Sequence, residues 1–420
     1  MGEGKPLLLG IDLSDDYTQI NMYQLSTKET TSISMSMDGS NPLIPTCLLI
    51  KESTKEWTFG EEAQKFHCLS GGMFFDHLLT RIRQDEPVVI YDTMFTSVML
   101  LSKYFKKLLQ FVRQRFLNYS IAQLVITLDD MSNKMVDVIY DSLKPLGLER
   151  DRVKIISRVE SFMYYILSQK QDLWANDVGL FQFDENGMFY YRLSVNRRRI
   201  PMPVVVNKIN LSEDFSLSQL EEEEKDRFAF RFEKMANQLL FKRLTSSLFF
   251  TGIGYAGDWV DELLKKLCLG RRVFKGQNLY SKGACYAAWA LCYGELKDYL
   301  LLSDEMITST IELKVYQNAK AVNYPLARLG TPWWQVNESI TVILDDTNEL
   351  ELTISNLLKR EPVKEVFRID GLMERENKTI RLSIQLHYVD RETAVLTVRD
   401  TGFGEFYPTT YRIWEQTLIL

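Results

Sequence analysis

Cysteine and histidine are the residues that most often ligate zinc or serve a nucleophilic triad. This chain of 420 residues has five cysteines and three histidines. Cys47, His67, Cys68 and His77 are its one Cys/His grouping. Adjacent His67 and Cys68 point in different directions on any regular element, and no CxxC or HxxxH spacing exists, so packing and surface roles are expected rather than a zinc centre. Three histidines also leave a His-based triad little to draw on. Lys103, Lys106, Lys107, Arg113 and Arg115 crowd one predicted helix. They read as a solvated face, with an anion site as the alternative. What remains are aspartates and glycines in turns. Asp12 precedes the polar turn Ser14-Asp15-Asp16, Asp184 precedes Glu185-Asn186-Gly187, and Gly252-Ile253-Gly254 follows an apolar run. Asx caps account for the aspartates, and a tight strand-to-helix turn for Gly252 and Gly254.

The elements that hold these turns alternate between strand and helix. Leu7 to Leu13 and Thr18 to Tyr23 read as a hairpin, followed by short strands at Thr31 to Met37, Thr46 to Lys51 and Glu56 to Phe59. Met94 to Phe116 is helical, with Val98, Leu101, Leu108 and Phe111 as its apolar stripe. Strands at Leu124 to Leu128 and Val153 to Ile156 each precede a helix, near Ser132 to Leu146 and at Ser157 to Ser168. This rhythm predicts an α/β layer with a partly parallel sheet. Val178 to Asp184 and Met188 to Val195 form a second hairpin, with Gly187 supplying a positive φ and Arg197 to Arg199 on a solvated edge beyond it. The acidic run Glu221 to Glu224 opens a long helix. Leu248 to Thr251 is a strand, and Asp258 to Leu267 and Gly283 to Leu300 are helices, the last rich in alanine. No internal repeat is visible. Beyond about Tyr324, period-two alternation, as in Leu350, Leu352 and Ile354, predicts a small antiparallel β domain of five or six strands, β-sandwich-like, over residues 325–420.

Several of these segments, in order, resemble the nucleotide-binding fold shared by actin, sugar kinases and DnaK-type chaperones. GIDLSDDYTQI, from Gly10 to Ile20, is similar to that fold's first phosphate hairpin. Ile44 to Phe66 resembles the chaperone strand pair IPT…VGEEA, and Leu124 to Leu167 its strand, helix and Asn-Glu-Pro segment, with Glu160 at the Glu position. Gly179 to Val195 resembles the second phosphate hairpin, Leu248 to Leu267 the adenosine motif, and Gly270 to Leu291 the helix after it. The chain also resembles an uncharacterised family found in clostridial bacteria. The resemblance implies a two-lobed α/β fold with ribonuclease H-like lobes over residues 1–324. It implies ATP held by Asp12, Ser14, Asp184, Gly187, Gly252 and Gly254, with Mg²⁺ at Asp12 and Asp184. Asp12 and Glu160 become the catalytic candidates.

The chain departs from that pattern where the chemistry lies. Ser14 replaces a hairpin glycine, and Asp15 and Asp16 would repel a triphosphate. Asn186 stands where the second hairpin's glycine belongs, with Gly187 one place late. Phe74 to Ile82 offers Leu78 where a catalytic lysine is expected. Only about fifty residues stand in for the adenine-clamping subdomain. Phosphoryl transfer needs positioned positive charge, which is expected to be absent. The resemblance therefore implies a catalytically degenerate binding or scaffold protein with weak or absent nucleotide binding. Its alternatives are an active ATP/Mg-dependent switch and an actin-like filament subunit. By order, the C-terminal β domain resembles the chaperone substrate domain, so a protein or peptide partner is expected there. Trp333-Trp334 would contact that partner or pack the two domains together.

Composition sets the outer limits. A 45% hydrophobic chain with 11 prolines and 21 glycines is globular rather than disordered. A net charge of -6 argues against a dedicated nucleic-acid binder. No apolar run reaches the roughly 18 residues a membrane span needs. Met1 to Pro6 lacks a signal-peptide pattern, and the cysteines lack disulfide spacing, so a cytoplasmic protein is expected.

Overall fold

The computed structural model describes residues 5–36, 41–69, 72–357, 359, 361–372 and 375–420. Met37 and most of the Met1 to Pro6 segment lie outside them. The chain is mixed α/β with several sheets and divides into two compact units, Met1–Tyr299 and Leu300–Leu420.

The first unit contains two main sheets built to one plan. In the first sheet, β1 (Lys5–Leu13), β2 (Tyr17–Gln24) and β3 (Glu29–Ile33) are antiparallel neighbours. β4 (Tyr119–Leu128) then lies parallel to β1, and β5 (Val153–Ser157) parallel to β4. In the second sheet, β6 (Asp177–Asp184), β7 (Gly187–Val195) and β8 (Met202–Asn210) are again antiparallel. β9 (Thr245–Thr251) is parallel to β6, and β10 (Arg272–Lys275) is parallel to β9. Five strands of each six-stranded sheet thus run in the order 3-2-1-4-5. The sequence carries no visible repeat, yet the topology does. Pairing sense and hydrophobic period are shared, while residue identities are not.

Helices follow the same rule. α1 (Gly60–Leu69), α2 (Leu78–Gln84) and α3 (Ser97–Arg115) lie in the excursion before β4. α4 (Asn133–Leu143) crosses from β4 to β5, and α5 (Arg158–Leu167) leaves β5. In the second half α6 (Leu217–Glu222) and α7 (Lys225–Leu240) precede β9. α8 (Asp261–Leu267) crosses to β10, and α9 (Leu279–Tyr293) follows it. The acidic run does not open one long helix. Glu223 is extended and marks the break between α6 and α7, with its carboxylate bound to Arg231 at 2.6 Å and Arg227 at 3.1 Å. α9 ends at Tyr293, seven residues before the expected Leu300, because Gly294 takes a left-handed cap. Arg197 is not a free edge charge: it donates to the carbonyls of Trp174 and Ala175 at 2.8 and 2.7 Å.

α5 and α9, the helices after the fifth strands, pack together closely. A Cβ on Gly283 would lie 2.0 Å from the Ser161 carbonyl oxygen, and one on Gly10 would lie 2.2 Å from the Cys285 nitrogen. The alanine-rich face of α9 therefore exists for backbone approach to both β1 and α5. The buried Ala284, Ala287 and Ala288 continue that face. Polar ties fix its register: Asn21 Nδ2 donates to Ser281 Oγ at 2.6 Å, and Gln19 Nε2 to the Gln277 carbonyl at 2.9 Å.

The second unit is all β. β11 (Ser309–Gln317), β12 (Lys320–Ala327), β14 (Glu349–Asn356) and β15 (Val363–Arg368) form one antiparallel sheet. β13 (Asn337–Ile343), β16 (Arg381–Tyr388), β17 (Thr393–Asp400) and β18 (Ile413–Ile419) form another. Residues of both sheets, among them Leu313, Leu352, Ile384 and Leu396, share one core. Among the described residues, six strands lie within residues 325–420, matching the five or six expected there, and β11 with most of β12 precedes them, because the division falls after Tyr299 rather than Tyr324. Tyr324 lies inside β12, whose hairpin with β11 already alternates through the buried Ile311 and Leu313. Trp333 packs on this unit's own core.

The α5–α9 junction yields a prediction. Gly283→Ala should lower stability by about 1–3 kcal/mol through overpacking, although alanine is the better helix former. Urea unfolding would measure the loss. A variant as stable as the parent would show that the two helices can separate freely.

Candidate functional site

The turns singled out in the sequence converge at the carboxyl ends of β1 and β6. A cavity of about 130 Å³ there is lined by Asp12, Ser14, Asp184 and Gly252, together with Arg158 and Tyr280. A neighbouring cavity of about 310 Å³ shares Ser14, Arg158 and Glu185 with it and adds Asp15, Asp129 and Asp130. The expected residues Gly187, Gly254 and Glu160 line neither cavity.

Arg158 is the centre. It is the first residue of α5, immediately after the N-cap Ser157. A cation there opposes the helix dipole, so its position requires nearby anions. Asp12 supplies two contacts: Nε of Arg158 donates to Oδ1 at 3.1 Å, and Nη2 to Oδ2 at 3.4 Å. Asp184 faces the same guanidinium, with Oδ2 3.8 Å from Nη1. The Asp12 and Arg158 side chains are only 9% and 14% exposed. Burial would discharge Arg158, but Asp12, Asp129 and Asp184 hold its pKa above the ordinary arginine value. Burial lifts the Asp12 carboxyl, and Arg158 opposes that rise.

A second layer of contacts holds this bridge. The Arg158 guanidinium lies 5.2 Å from the centre of the Tyr280 ring. The Tyr280 hydroxyl donates to Gln182, whose amide donates to Asp184. Ser161 Oγ donates to the Tyr280 carbonyl at 2.5 Å, tying α5 to the start of α9. One chain of polar contacts therefore runs from β1 through α5 and α9 to β6.

The arrangement corrects two expectations. Positive charge is positioned in the cleft, but two carboxylates already neutralise it. Asp15 does not face a phosphate site either. It turns to the start of α2, accepting from the backbone N–H groups of Leu79 and Thr80 at 2.8 and 3.0 Å, and from the Thr80 hydroxyl at 2.8 Å. The Asp16 and Glu185 carboxyls meet at the two hairpin tips. Burial, Asp16 and then Asp184 raise Glu185 above its ordinary pKa. A hydrated Mg²⁺ at Asp12 and Asp184 does not fit, since both Asp12 oxygens are taken by the guanidinium. Among the described residues no cluster of three or more Cys, His, Asp or Glu is placed to bind a metal.

The other expected residues have structural work. Glu160 closes a capping box: its backbone N–H donates to Ser157 Oγ at 3.1 Å, and its carboxylate accepts from the Ser157 N–H at 3.0 Å. Gly187 pairs with Asp184 at the hairpin turn with φ 96°. Gly252, at φ 109°, passes so close to β6 that a Cβ would sit 2.1 Å from the Phe183 carbonyl oxygen. Gly254 lies against the Phe183 ring. Both glycines are thus explained by the strand-to-helix turn packing on Phe183. Among the Cys/His grouping, Cys47 is buried with its thiol pushed up to about 12, and His67 stacks on Phe74 at 4.3 Å. Sequence reading missed Arg158, Gln182 and Tyr280. An arginine at the first helical position, against the dipole, was the available signal for the first.

Removing the arginine should expose the cost of the buried acid. Arg158→Met should destabilise by about 3–5 kcal/mol at neutral pH, as uncompensated buried charges do. Asp12 then keeps a folded-state pKa above its unfolded value of about 3.9. Its stabilising contribution is full below that unfolded value and lost as pH rises through the folded one. The variant should therefore recover toward parental stability as pH falls from 8 to about 5, and Asp12→Asn in the same chain should restore most of the loss at pH 8. Denaturant midpoints across pH test this; a pH-independent deficit would contradict it.

Among the described residues no helix is long and apolar enough to cross a membrane. A search of curated proteins returns no match. The C-terminal unit matches a domain of unknown function, DUF8552, over residues 306–420. Residues 29–304, well over half the chain, match the family of unknown function DUF5716 in its C-terminal region, and the chain belongs to that family.

Proposed function

We propose that residues 5–299 are a two-lobed actin/DnaK-like body whose nucleotide cleft is filled by the protein's own ion pairs, and that the protein works as a binding or scaffold module. Two features support the fold part of this reading. Five strands of each sheet run 3-2-1-4-5 with the same senses, and the paired hairpins β1–β2 and β6–β7 end at a common cleft. The observation that carries the functional part is Arg158 between Asp12 and Asp184. In a nucleotide-binding member of such a fold, that space would serve a metal-bound phosphate. Here a guanidinium fixed to the chain takes the cation's role.

Charge agrees with this reading. The two cavities together are lined by Asp12, Asp15, Asp16, Asp129, Asp130, Asp184 and Glu185, against Arg83 and Arg158. That surplus of acid repels a triphosphate. In this reading the body is a rigid support, and the C-terminal β unit engages a protein or peptide partner. The partner assignment rests on analogy of domain order.

A test must report where a nucleotide binds as well as whether it binds. Photo-labelling with 8-azido-ATP and Mg²⁺, followed by peptide mapping, should place no label on residues 12–19 or 251–255. Steady-state assays should find no ATP hydrolysis above background. Label on either cleft segment that excess ATP competes away would overturn the reading.

A further inference from the structure

A groove away from the cleft carries the opposite charge. Its volume is about 440 Å³, and Lys51, Lys55, Lys103, Lys106 and Lys107 line it together with Trp57. Lys103, Lys106 and Lys107 come from α3, whereas Lys51 and Lys55 flank the turn joining two short strands, Leu48–Ile50 and Trp57–Phe59. Two separate elements thus bring five cations to one concavity in a chain of net charge -6. Only two carboxylates, Glu56 and Glu62, share the lining.

The three cations of α3 are not neutralised by the fold. Lys51 has a carboxylate partner, Glu62 at 3.4 Å. No carboxylate lies within ion-pair distance of Lys103, Lys106 or Lys107 among the described residues. Lys103 and Lys107 are half-buried and one helical turn apart, where like charges repel. A merely solvated face would gain by pairing or dispersing them. The opposite wall is held in place: Lys51 Nζ lies 3.9 Å from the Phe66 ring centre and Lys55 Nζ 3.2 Å from that of Tyr91.

We infer that this groove is a binding site for a small polyphosphorylated molecule. Lysine ammonium groups bind phosphate as point charges. The volume falls within the range of small-molecule sites. An extended nucleic acid would need a longer basic track than this one groove. The inference goes beyond the proposed function and stands without it, since no residue of the groove lines the central cleft.

Tripolyphosphate is the direct probe, titrated calorimetrically into the full chain without Mg²⁺. Binding should be micromolar, should weaken several-fold between about 50 and 200 mM salt, and should weaken at least tenfold in Lys103→Gln/Lys107→Gln. That variant should keep the parental thermal midpoint, because both residues are substituted by another good helix former. Lys242→Gln, in a different basic cavity, should bind as the parent does. ATP binding as tightly as tripolyphosphate, and lost in the same double variant, would show that the phosphate chain is what the groove recognises. No heat at millimolar tripolyphosphate would overturn the site, as would equal binding by the parent and the double variant. A short single-stranded oligonucleotide binding more tightly than either would overturn the small-ligand assignment. The cleft is read separately, by the position of the photo-label.

Discussion

A buried guanidinium must be paired with anions to be tolerated, and that need organises the centre of this molecule. Arg158 begins α5 at the end of β5, where the helix dipole disfavours it. Asp12 is the penultimate residue of β1 and Asp184 closes β6, so the two anions that offset it belong to different sheets. Neither sheet alone completes the bridge. The polar chain through Tyr280 and Gln182 then binds α9 into the same assembly. Breaking one member leaves a buried charge or an unpaired polar group, each more costly than the contact itself is favourable.

That bridge depends in turn on how closely the backbones approach. α9 touches β1 at Gly10 and α5 at Gly283 with no room for a side-chain carbon at either position. A larger residue would push α5 outward and carry Arg158, its first residue, away from Asp12. The small-residue face of α9 and the ionic cluster are therefore one constraint seen at two scales. Packing sets the positions to within an ångström or so, and the electrostatics needs that precision because hydrogen bonds to charged groups weaken steeply with poor geometry.

Much of this was legible in the sequence because it follows short-range rules. The hairpins at Ser14–Asp16 and Glu185–Gly187, the strand before Gly252 and the helix of Lys103 to Lys107 all appear where turn chemistry and periodicity place them. The residues that form the cleft's lining were found in part for the same reason: they sit in turns at strand ends. What escaped was set by tertiary contact. Asp15 has no sequence feature that sends it to α2 rather than to the cleft. Gln182 and Tyr280 lie 98 positions apart and become partners only when α9 docks. β11 and β12 were missed because they lie before the change in pattern that marked the boundary, not because they lack alternation.

The retained aspartates carry the sharpest lesson. Asp12 and Asp184 stand where a resemblance to nucleotide-binding proteins implies a metal, and residue identity alone would support that role. Their surroundings do not. A divalent cation needs carboxylate oxygens free to face it and room for its waters; the Asp12 oxygens are both engaged by a charge that cannot dissociate. Once Arg158 is in place, replacing either aspartate would leave it partly uncompensated, so the acids contribute to stability whether or not any ligand is bound. Acidic residues at the expected positions are therefore no measure of metal chemistry in this cleft. The quantity that decides is the local charge balance, which the Arg158 guanidinium sets between Asp12 and Asp184.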